Sequence, residues 1–112
     1  MLNEQLETIE LSIEQAKGMI AKLEAAQRLI TNKDFTLLVD EGYFRDEASR
    51  LVLLKSDPSM QGDNEQREID NGILAIGGFR KYISTVFQMG NTAMRTLADD
   101  ENTREDLLNE GI

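Results

Sequence analysis

From residue 2 to residue 30 the chain repeats one spacing. Leu2, Leu6, Ile9, Ile13, Ala16, Ile20, Leu23, Gln27 and Ile30 fall alternately four and three positions apart. That is a heptad seam: Leu6, Ile13, Ile20 and Gln27 share one core position, and Ile9, Ala16, Leu23 and Ile30 share the other. The intervening residues are mostly Glu, Gln, Lys and Ala, all good helix formers, and Gly18 is the one weak point. The spacing predicts a helix over about residues 3–30, a rod of roughly 42 Å.

A second, independent seam lies near the other end. Ile69, Ile73, Ile76, Arg80, Ile83, Phe87, Gly90, Met94 and Leu97 step by four and three, and Phe79, Val86 and Ala93 widen the stripe on one side. A wide stripe means contact with more than one neighbour. This second long helix is expected over about residues 64–98. Gly77-Gly78 reads as a kink. Gly90, on the seam itself, reads as a point where another helix or a bulky side chain comes close.

Between the seams lies a helical elbow. Asn32 reads as a cap with Asp34 in the first turn after it. Short helices are expected over about residues 33–41 and 44–55. The first would bury Phe35, Leu38 and Val39, and Gly42 would close it in a left-handed C-terminal role. The second would bury Ala48, Leu51, Val52 and Leu54 and stop at Asp57-Pro58. Ser56 to Asn64 is the best candidate for a flexible loop. The expected fold is therefore all-α: an antiparallel hairpin of two long heptad-patterned helices with the elbow between them, forming one domain over residues 1–98. Setting Ile30 against Ile69 would bring Leu23 to Ile76, Ile13 to Phe87 and Leu6 to Met94. Two long helices leave apolar surface uncovered, so self-association into a homo-oligomer is expected.

Residues 99–112 form an acidic tail. Asp99, Asp100, Glu101, Glu105, Asp106 and Glu110 face the single base Arg104, a net charge of −5 out of −9 for the chain. Thr103 with Asp106 resembles the capping box of a short helix, followed by Leu107, Leu108 and Ile112 as apolar anchors. The tail is either a frayed end or a motif that docks on a basic, apolar groove of a partner.

The charge comes from 12 basic and 21 acidic residues. That balance argues against direct nucleic-acid binding and against docking on an anionic membrane. The chain has no Cys, His or Trp, so disulfides, Cys/His metal centres and His- or Cys-based catalysis have no residues to use within it. The opening Met1-Leu2-Asn3-Glu4 lacks a basic signal-peptide region, and the uncharged run from Tyr82 to Met94 is too short to span a bilayer. The chain reads as not secreted.

No catalytic, cofactor or metal site emerges. Asp63 to Gly72 is superficially calcium-like. It lacks the alternating oxygen ligands and central glycine of an EF-hand loop, and reads as a charged helix start. Asp40-Glu41 beside Gly42-Tyr43 is the least implausible acidic pair, and reads as a solvated helix end. Two polar residues interrupt the seams. Gln27 reads as surface-facing and Arg80 as paired, with Glu24 its nearest candidate. The candidate residues for an oligomer or partner interface are Phe79, Arg80, Val86, Phe87, Gly90, Ala93, Leu107, Leu108 and Ile112.

One further pattern does not come from periodicity. Asn32-Lys33-Asp34-Phe35, Glu41-Gly42-Tyr43-Phe44, Glu47-Ala48, Arg50-Leu51-Val52 up to Asp57-Pro58, and later Ile76-Gly77-Gly78-Phe79-Arg80-Lys81-Tyr82, resemble a group of small acidic helical proteins of tailed bacteriophages. The likeness covers roughly the middle two-thirds of the chain and carries no enzymatic signature. Such proteins tend to accompany head and portal genes. The resemblance therefore implies a non-enzymatic structural or assembly role, in the virion or the host cytoplasm, with a larger portal or capsid protein as partner. Two other roles fit the residues: an acidic nucleic-acid mimic that binds a basic host protein, motivated by Glu7, Glu10, Glu14 and Asp99 to Glu101, and an oligomer that sequesters a small ligand near Tyr43, Arg50, Arg80 or Lys81.

Overall fold

The computed structural model describes residues 1–111. Every regular element among them is helical, in the order α1 (Leu2–Ile30), α2 (Lys33–Phe35), a π-helix (Thr36–Glu47), α3 (Ala48–Lys55), a 3₁₀ turn (Pro58–Met60) and α4 (Asp63–Glu110). This is the expected class: two long helices with a helical elbow between them. The residues gather into two compact units. Unit 1 joins Met1–Gln27 to the stretch from Thr85 onward, and unit 2 is Arg28–Ser84.

In unit 1 the two long helices run antiparallel. Ser12 Oγ donates to Asp100, Arg104 lies 3.4 Å from Glu10, and Gly90 meets Leu23. The buried residues are Ile13, Ala16, Leu23 and Ala26 on α1, with Gly90 and Ala93 on α4. The seam faces are those expected, but the register is not. Leu23 sits against Gly90 rather than Ile76, a slip of about two heptads. A whole-heptad slip leaves every seam residue facing inward, so periodicity fixes the face and not the partner. The slip has a cause in unit 2, where the start of α4 is occupied by α3.

That slip also changes the tail. Residues 99–110 continue α4 without a break, where a helix end at 98 and a separate tail were expected. Thr103 is not a cap. Its hydroxyl donates to the Asp99 carbonyl inside the helix. The first turns of α1 need a partner at this register, and the acidic segment supplies it.

Unit 2 is built on Leu51, Ile69 and Ile76, with Tyr43, Phe44, Ala48, Leu54, Met60 and Ile73 packed around them. Asn32 caps the elbow as expected, accepting from Asp34 N at 2.8 Å and Phe35 N at 3.1 Å. The chain then winds as a π-helix through Gly42, where a helix end was expected. Gly42 has no left-handed φ, and neither has any other described glycine. The segment expected to be a flexible loop is tied down. Asp57 caps the 3₁₀ turn, Gln61 Nε2 donates to the Lys55 and Asp57 carbonyls, and Gln66 Nε2 donates to those of Lys55 and Met60. No helix of the described residues is long and apolar enough to cross a membrane.

Candidate functional site: an apolar trough in unit 2

A concavity in unit 2 follows from a local change of helical winding. A π-helix bonds i to i+5, so it fits more residues into each turn than an α-helix does. The apolar pattern of residues 35–54 suits α spacing, and it drifts out of phase across the twelve π residues. Phe35 and Val39 stay half-buried, whereas Leu38 turns outward. Beyond it, α3 buries Leu51 against Gly72, with Ala48 and Leu54 half-buried beside the same core. Val52 falls at the edge of that contact and Leu53 outside it, 57% and 72% exposed. The expected burial of Leu38 and Val52 therefore fails because two different windings share one run.

Val52 and Leu53 border a trough of about 1060 Å³. Phe44, Ala48 and Ile83 are its half-buried members, and Asp40, Arg45, Ser49, Val52, Leu53, Arg80 and Ser84 are exposed around it. Phe44 is held by an aromatic cluster: its ring centroid is 5.9 Å from that of Tyr43 and 5.6 Å from that of Phe79, and Tyr43 meets Phe79 edge-on at 6.4 Å. Tilted and edge-on rings at these separations attract beyond simple area burial.

The charges near the trough fall into two kinds. Some are paired locally: Arg45 with Asp46, and Arg50 with Glu47 through two 3.1 Å bonds from Nε. The Asp46 carboxylate raises the Arg45 pKa, and the Arg50 guanidinium holds Glu47 below the ordinary carboxylate value. Asp40 and Arg80 are of the other kind. Both are exposed at the trough, and neither makes an ion pair among the described residues. The partner expected for Arg80 is thus not found.

The interface candidates from the sequence scatter. Arg80 lines the trough, and Phe79, 38% exposed, braces it through the aromatic cluster. Val86 and Phe87 are half-buried in unit 1. Gly90 and Ala93 are buried there by α1, which leaves them no surface to offer a partner. Leu107 borders a shallow hollow with Glu4, Thr8 and Thr103, and Leu108 is exposed. Ile112 lies outside the described residues. Of the residues considered for a small ligand, Tyr43 belongs to the aromatic cluster, Arg50 is held by Glu47, and Lys81 is exposed. Sequence reasoning missed Phe44, Leu53 and Ile83 as one surface. The available signal was Leu51-Val52-Leu53-Leu54, four consecutive apolar residues that a single buried helix stripe cannot accommodate.

A second concavity, about 360 Å³, lies in unit 1 among Ala16, Met19, Met89 and Ala93, bordered by Ser12, Gln15, Gln88, Thr92 and Thr96. It contains no charged residue. Among the described residues no group of three or more carboxylates stands close enough to hold a metal ion. Comparison of the chain with protein families, with curated proteins and with solved structures finds no match.

Proposed function

We propose that this chain is a non-enzymatic structural or assembly protein of a bacteriophage. It acts through helical self-association and through binding a larger particle protein such as a portal or capsid subunit. The observation that carries the reading is the trough of unit 2, where large apolar side chains stay in water beside a hollow that no described residue of unit 2 fills. Exposed apolar side chains gathered at one hollow, unlike single scattered ones, are the kind of surface that marks a partner site. The phage setting rests on the resemblance of the elbow and of Ile76 to Tyr82 to head-neighbourhood proteins.

The test is mass spectrometry of purified particles with copy numbers. The reading expects the protein in the particle, or in assembly intermediates, at a small-integer ratio to a ring or shell protein. Its confinement to a soluble pool of the infected cell contradicts the reading.

One observation favours a second role. Charge is unevenly divided: unit 1 holds eleven acidic and four basic residues, a net −7, and unit 2 holds ten and eight, a net −2. Such an acidic unit suits capture of a basic host protein in place of nucleic acid. That capture would weaken steeply as salt rises.

A further inference from the structure

We propose that the trough of unit 2 is the surface through which two copies of this chain meet about a two-fold axis, with Leu53 of each copy seated in the hollow of the other and Asp40 of each facing Arg80 of the other. The proposal rests on the self-association reading above and specifies which surface performs it.

A two-fold interface uses the same patch on both partners, so the patch must complement itself in shape and in charge. The trough meets both conditions. For shape, it combines a projecting side chain, Leu53, with an adjoining hollow whose half-buried members are Phe44, Ala48 and Ile83. For charge, it carries one acid and one base, Asp40 and Arg80, that are both exposed and both without an ion pair among the described residues. An acidic or basic partner would satisfy one of the two and be repelled by the other. A second copy satisfies both, twice. The remaining charge of the trough, Arg45, is already engaged by Asp46 and adds no repulsion of its own. Apolar contact supplies most of the affinity, and the charge pairs set the orientation, since exposed pairs contribute little by themselves.

The experiment is a charge-swap cycle on the full chain, with association read by sedimentation equilibrium and folding by circular dichroism. Asp40→Arg alone and Arg80→Asp alone each place like charges across the axis twice, and each should weaken self-association on the order of tenfold. Together, in one chain, they restore opposite charges and should recover wild-type association, which a folding defect would not do. Leu53→Asp should leave a helical monomer. If the wild type associates and Leu53→Asp and both single charge variants associate equally well, this surface is wrong while the self-association reading stands. If the wild type stays monomeric throughout, both fall, and the trough is left to a helix of a different protein.

Discussion

Glycine makes the sharpest residue-scale test, because the same replacement should act in opposite directions along one helix. A β-carbon at Gly77 or Gly78 meets nothing within 4 Å, whereas one at Gly90 would stand 2.9 Å from Leu23 Cδ2 and closer still to its Cβ. Gly77→Ala or Gly78→Ala should therefore stabilise the fold by about 0.5–1 kcal/mol through helix propensity. Gly90→Ala should destabilise it by about 1–3 kcal/mol despite the same gain, since overpacking outweighs propensity. Urea titrations of the three variants decide this. The role of Gly90 was legible because it sits on the seam. That of Gly42 was not, because a helix-ending glycine and a glycine inside a π turn look alike in sequence; here a β-carbon would press on the Leu37 carbonyl at 3.0 Å. Acid offers a further check. Glu47 and Asp57 have folded pKa values below their ordinary 4.5 and 3.8, lowered by Arg50 and by the Ser59 N–H respectively. Each contribution is complete above the unfolded value and is lost as pH falls through the folded one. Below about pH 4.5 the elbow should thus lose stability, and Glu47→Gln should blunt that loss.

At the scale of elements, the faces of both long helices were readable and their pairing was not. The seam repeats every seven residues, so Leu23 opposite Ile76 and Leu23 opposite Gly90 satisfy it equally. What decides is that Ile69 and Ile76 are occupied by Leu51 of α3, a contact no periodicity announces. The chain has no cysteine, which makes crosslinking clean. Cysteines placed at Ser12 and Asp100 should form a disulfide, and cysteines at Leu6 and Met94 should not. The same register explains why the acidic segment is helical. Removing the residues after Leu97 deletes the partners of Glu10 and Ser12. The expected consequence is a loss of helicity larger than the deleted residues account for, as the start of α1 frays, with amide exchange quickening over residues 2–12. A loss confined to the deleted residues contradicts it. The π-helix was the least legible element. It mixes good helix formers with the weaker Thr36, Val39, Gly42 and Tyr43, and nothing in that mixture distinguishes the wider winding.

For the whole molecule, exposed apolar area is the deciding quantity. The fully buried apolar side chains among the described residues are few: Ile13, Ala16, Leu23, Ala26, Leu51, Ile69, Ile76 and Ala93. The sequence signalled this shortage through its wide second stripe, and the interface candidates include both exposed Phe79, Arg80 and Leu108 and buried Gly90 and Ala93. Gly90 and Ala93 are buried within unit 1, and the apolar side chains left in water include Leu37 and Leu38 of the π-helix, Val52 and Leu53 of α3, and Leu74, Tyr82 and Met94 of α4. A stable pairing of copies buries about 800 Å² on each partner. Sedimentation equilibrium of the unmodified chain, from micromolar to near-millimolar concentration, tests this most directly. The mass should climb from 12.6 kDa to at least twice that value as concentration rises. A mass that holds at 12.6 kDa across the whole range contradicts it.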